Sequence, residues 1–111
     1  EAQFSVLVLG FLIAAITRIA QGSATVAMIT AAGLIAPVLA LQPMSAAMLG
    51  LLVIAISSGA TILSHVNDSG FWLVSRYLGM TEKDTLKTWT VMTTLISLTG
   101  LASCMLISLF L

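Results

Sequence analysis

Charge is nearly missing from this chain: 4 Lys or Arg and 4 Asp or Glu in 111 residues, 7% in all, with a formal net charge of zero. A soluble domain carries about 25% charged residues, so the shortage excludes a surface that water could solvate. The mean hydropathy of +1.16 agrees, and the expectation is an integral membrane protein. Without a run of basic residues, nucleic acid is not an expected partner. The single cysteine, Cys104, excludes an internal disulfide, and a metal site lacks ligands. Proline is almost as scarce: Pro37 lies near the end of an apolar stretch, and Pro43 pushes Gln42 out of helical geometry and marks a turn. Glu1 and Gln3 precede the first apolar run without a basic leader region, so no signal peptide is expected. A start at Glu1 in place of Met reads as a C-terminal piece of a longer polypeptide.

What the chain does have is apolar sequence interrupted twice. The first interruption is Arg18-Ile19-Ala20-Gln21-Gly22-Ser23-Ala24-Thr25, and the second is Ser64-His65-Val66-Asn67-Asp68-Ser69. Ionisable groups at membrane depth are costly and seldom occur without a task. Two broken apolar segments are the mark of a secondary transporter site.

Lengths set the architecture. Residues 4–40 would make one straight helix of ~55 Å, whereas a span needs ~30 Å. The expectation over 1–41 is therefore a re-entrant helical hairpin with its tip near 21–24, turning at Gln21-Gly22-Ser23. Irregular backbone at such a tip is tolerated only where protein or a wet cavity surrounds it. Residues 45–63 and 70–78 read as two helices; the whole stretch 45–79, if straight, would measure ~52 Å, again too long for one span. A discontinuous transmembrane helix over 45–79, broken at 64–69, is expected. Thr81-Glu82-Lys83-Asp84 has capping-box character and starts another helix. A loop and a final transmembrane helix, apolar from 91 to 110, then fill 80–111. Arg76, Lys83 and Lys87 put that loop in the cytoplasm, which leaves Leu111 and the Gln42-Pro43 turn outside. Trp72, Tyr77 and Trp89 read as interfacial anchors, and the 6 Met as packing. Ala27/Ala31, Ala32/Ala36 and Ala55/Gly59 have the spacing that lets helices approach closely.

Each interruption has a functional and a bland reading. Ser23 is a good N-cap, Gly22 permits the backbone of a tip, and the free N–H groups that follow suit a carboxylate. Arg18, one turn earlier, would complete an anion clamp. In the bland reading Ser23 and Thr25 cap a kink and Arg18 snorkels to the interface. Asp68 or Ser69 caps the helix after the second break, whereas His65 and Asp68 together form a pair able to exchange a proton.

These strings resemble the gluconate permease family of proton symporters, within the ion transporter superfamily. The likeness covers nearly the whole chain and is most specific at residues 18–27, at Ala31-Ala32-Gly33-Leu34-Ile35-Ala36-Pro37, and at residues 64–72. Residues 86–92 are also similar. The resemblance implies an all-α, multi-pass protein of the bacterial inner membrane, built from two inverted repeats and moving as an elevator. This segment would be the end of the second repeat. The implied function is import of gluconate or a related sugar acid by proton symport, with no cofactor and no metal. Substrate would lie on Arg18, Gln21, Gly22, Ser23, Thr25, Asn67 and Ser69, with the proton on His65 or Asp68. The expected partners are the sugar acid, protons, the lipid bilayer and the remainder of the transporter including its first repeat, with a homo-oligomer left open. One competing reading is an intramembrane hydrolase using Ser64 or Ser69 with His65 and Asp68, although residues so crowded seldom reach the geometry of a triad. Another is a non-transporting membrane subunit whose polar residues only join helices.

Overall fold

A computed structural model describes residues 2–111, with side chains from Phe4 onward. It is all-helical, in the order α1 (Ala2–Gln21), α2 (Ala24–Leu41), α3 (Ala46–Gly59), α4 (Ser69–Tyr77) and α5 (Glu82–Ser108). Caps set most of the boundaries. Ser23, Ser45 and Thr81 each accept a backbone N–H three residues ahead, from Val26, Met48 and Asp84 respectively. Asp68 caps α4 by accepting from Gly70 N at 3.1 Å. The caps expected at Ser23, Thr81 and the 68–69 step are all present.

α1 and α2 form a helical hairpin whose turn takes only Gly22 and Ser23. Gly22 has φ +75°, a left-handed conformation that costs a side-chain-bearing residue about 1–2 kcal/mol. Because the turn is so short, both arms keep an 18-residue window apolar enough to cross a membrane, Phe4–Gln21 and Ala24–Leu41. Length alone therefore does not separate a re-entrant pair from two spans.

α3 ends sooner than the apolar run suggested. It stops at Gly59, and the break covers 60–68 instead of 64–69. Two turn bonds, Thr61 N to Ser58 O and Ile62 N to Gly59 O, unwind the chain, and Leu63 adopts φ 47°. The cause is tertiary. Ser64 N donates to Thr93 Oγ1 of α5 at 3.1 Å, and Ser64 O accepts from the Thr90 hydroxyl. A backbone held by α5 cannot continue the helix. The resulting pieces, of 14 and 9 residues, are ~21 and ~14 Å long, each short of a ~30 Å span. α5, at 27 residues, is the third helix long and apolar enough to cross.

One apolar core joins α1, α2 and α3, with Leu7, Phe11, Ala14, Ala27, Ala31, Ile35 and Ala55 all nearly inaccessible. In lipid such packing is driven by close contact more than by escape from water. A Cβ at Gly59 would strike the Phe11 carbonyl oxygen and come within 3.1 Å of Ala14 Cβ. The Ala27/Ala31 and Ala55/Gly59 pairs are thus buried packing faces, whereas Ala32 and Ala36 are exposed on the outer side of α2.

Candidate functional site

The two interruptions meet. A Cβ placed on Gly22 would fall 2.6 Å from Asn67 Cγ and closer still to the Asn67 carbonyl oxygen. The hairpin turn can touch the second break only because position 22 has no side chain. Asn67 Nδ2 donates to Ile19 O at 2.9 Å, and His65 Nε2 lies 3.1 Å from the same oxygen. Ile19 sits in the last turn of α1, where carbonyl groups lack helical partners, so the second break caps the first.

At the centre is an ion pair. Arg18 Nη2 lies 2.7 Å from Asp68 Oδ2, with the two side chains 7% and 13% exposed. Arg18 also donates through Nη1 to Gly22 O at 2.8 Å and through Nε to Ile62 O at 3.3 Å. One guanidinium therefore touches the hairpin turn, the break after α3 and the cap of α4. The helix dipoles favour the arrangement, since Arg18 lies in the last turn of α1 and Asp68 at the start of α4. Asp68 further accepts from the Ser64 hydroxyl and from Gly70 N. Both charges are thereby paired and hydrogen-bonded, the condition for carrying charge out of water.

Sequence reasoning missed the third contributor, α5. Ser64, 1% exposed, accepts Trp89 Nε1–H on its hydroxyl oxygen at 2.9 Å while donating to Asp68. Trp89 was expected as an interfacial anchor; its indole N–H instead braces the break. Trp72 does likewise, donating to Val66 O at 2.9 Å, while Tyr77 is 83% exposed. The signal for α5 was present: Thr90, Thr93 and Ser97 share one face at helical spacing, and all three are buried.

The remaining candidates are distributed around this centre. Gln21, Thr25, Asn67 and Ser69 are exposed, while His65 is half-buried. His65 and Asp68 do not form the anticipated exchange pair, because each is turned to a different partner: Ile19 O for the imidazole, Arg18, Ser64 and Gly70 for the carboxylate. The same facts leave a Ser-His-Asp triad unassembled. Arg18, expected to wait for a substrate carboxylate, already holds one of the chain's own. An apolar hollow of about 250 Å³ between α4 and α5, lined by Val74, Leu78, Met80, Thr88, Trp89 and Met92, includes none of the polar candidates. No group of three or more His, Cys, Asp or Glu could hold a metal among the described residues.

A gluconate permease of Pseudomonas aeruginosa is 52% identical over 111 residues, all of this chain and 24% of that protein. The high-affinity gluconate transporter of Escherichia coli K12 is 47% identical over 109 residues, 98% of this chain and 24% of the relative. A gluconate permease of Bacillus subtilis is 46% identical over 105 residues, 95% and 23% respectively. The chain thus spans about a quarter of the length of these relatives, which are named as permeases and transporters, not enzymes. No solved structure matches the chain at a significant level. The family model described as GntP family permease matches residues 1–110, and with three helices fit to cross a bilayer the chain belongs to that permease family of membrane proteins.

Proposed function

We propose that this chain is the site-bearing C-terminal segment of a bacterial inner-membrane transporter that imports gluconate or a related sugar acid by proton symport. The observation that carries the reading is the Arg18–Asp68 pair, which ties two non-helical breaks together at the start of α2 and α4. A sugar acid brings a carboxylate for Arg18 and for the free N–H groups of those helix starts, and hydroxyls for Gln21, Ser23, Thr25, Asn67 and Ser69. Gly22 lets the backbone approach. The hairpin and the broken helix, locked by Arg18, Asn67 and His65, would travel as one body in an elevator motion as the end of a second inverted repeat. The remainder of the transporter supplies the scaffold and the other half of the site.

The test is uptake of labelled gluconate by the full-length transporter in energised membrane vesicles, with a panel of sugar acids and hydroxy acids as competitors. Concentrative uptake, abolished by an uncoupler and competed by sugar acids, is expected. Uptake that survives the uncoupler would remove proton symport, and absence of uptake for every acid in the panel would remove the substrate class.

A further inference from the structure

We infer that Arg18 exchanges carboxylates: it holds Asp68 when the site is empty and holds the substrate anion when Asp68 takes a proton. The inference rests on the transport reading above and adds how proton and anion are made to enter together.

In the empty site Arg18 and Asp68 sum to zero. With the proton on Asp68 and a carboxylate on Arg18 the sum is zero again. A proton alone would leave an uncompensated guanidinium, and an anion alone would leave two carboxylates facing one cation. An unpaired charge in so enclosed a place costs several kcal/mol. Only the neutral states, empty or doubly loaded, are then suited to cross the membrane interior, with one proton for each anion.

The geometry allows the exchange with little movement. Arg18 is pinned by Gly22 O and Ile62 O independently of Asp68, so the guanidinium stays in place when the carboxylate leaves. It has five N–H groups, and three are used by these partners and Asp68. Freed from Asp68, it can offer the two-pronged face that suits a carboxylate. Asp68 loses Arg18 but keeps its other partners: Oδ1 keeps Gly70 N, and once the Ser64 hydroxyl turns its own hydrogen away, a new Oδ2–H can donate to the Ser64 oxygen. The proton comes from a hydronium ion, whose O–H bond breaks to leave water as one O–H bond forms on Oδ2; no other covalent bond is made or broken.

Among the described residues, Arg18 is the charged group that pairs with Asp68. From α1 the group facing Asp68 is Arg18, from the break it is Ser64, and α5 contributes Trp89, Thr90 and Thr93 through Ser64, all neutral. His65, the nearby titratable side chain, faces Ile19 O.

The experiment is equilibrium binding of labelled gluconate to the purified full-length transporter across about three pH units, with proton uptake followed in weakly buffered solution. In the unaltered protein, binding should weaken about tenfold per pH unit on the alkaline side, and each anion bound there should draw in about one proton. Asp68→Asn, which mimics the protonated form and still caps α4, should bind gluconate with a flat pH profile and exchange it without accumulating it. Proton uptake near zero in the unaltered protein would overturn the exchange without reliance on any variant. So would an unchanged pH profile in Asp68→Asn. Failure of the unaltered protein to bind any sugar acid would instead remove the transport reading itself, and the exchange with it.

Discussion

At the scale of single residues, glycine and tryptophan decide whether the centre is assembled. Gly22 meets two demands together, a φ of +75° and contact with Asn67. Gly22→Ala meets neither, since the conformation alone costs about 1–2 kcal/mol and the methyl group would strike backbone that cannot swing aside. Uptake by Gly22→Ala should fall at least about fivefold, which is the minimum that such a cost implies at 1.4 kcal/mol per decade; uptake equal to the parent would mean that the turn and Asn67 separate in the working transporter. Trp89→Phe tests the brace from α5. It keeps an aromatic ring but loses the N–H that Ser64 accepts, worth about 0.5–1.5 kcal/mol net. Its effect should appear as an altered pH profile of uptake, because Ser64 in turn donates to Asp68. A uniform loss of uptake at every pH would return Trp89 to a packing role.

Among elements, close approach of α1 and α3 matters most. These helices come together at Gly59, where the Phe11 backbone oxygen and Ala14 Cβ leave no room for a Cβ. The small gain in helix propensity from Gly59→Ala cannot offset a clash with a carbonyl group, and overpacking typically costs about 1–3 kcal/mol. Thermal unfolding of purified Gly59→Ala should begin at lower temperature, with the Arg18 end of α1 displaced and uptake reduced in parallel. An unchanged transition would show that α1 slides freely on α3. The break after α3 belongs to the same scale. Its start at Ala60 follows from α5 capturing Ser64 at both N–H and C=O, so its length is a property of three helices, not of one segment.

For the molecule as a whole, orientation is the open quantity that chemistry can read. Arg76, Lys83 and Lys87 flank the loop between α4 and α5 and are exposed. Under the proposed topology this loop faces the cytoplasm. Lys83→Cys, in a background where Cys104 is replaced, should react with a membrane-impermeant maleimide in inside-out vesicles and stay unreacted in right-side-out cells. The opposite pattern would invert the topology and place the hairpin's entry on the cytoplasmic face. Much apolar surface also remains exposed, including Ile29 and Leu34 on α2, Val53 on α3 and Leu95 and Ile96 on α5. In a chain a quarter the length of its relatives, such faces suit lipid and the rest of the transporter.

Local chemistry made much of this readable from the amino acids. Scarce charge and apolar runs of span length required a membrane protein, because lipid cannot solvate ions or unpaired backbone. Ser23, Thr81 and Asp68 announced their helices, since an N-cap is an interaction over three residues. The two polar interruptions stood out for the same reason: their cost in a bilayer is a property of the side chains themselves. What tertiary structure decided were relations across distance. It paired Arg18 with Asp68, turned His65 away to Ile19, ended α3 at Gly59, and recruited Trp89, Thr90 and Thr93 to Ser64. These contacts join residues 25 to 50 positions apart, and no local period encodes which of several donors will reach a given acceptor. The partner of a buried charge is chosen by whatever the packing of α1, α3, α4 and α5 brings within hydrogen-bond reach.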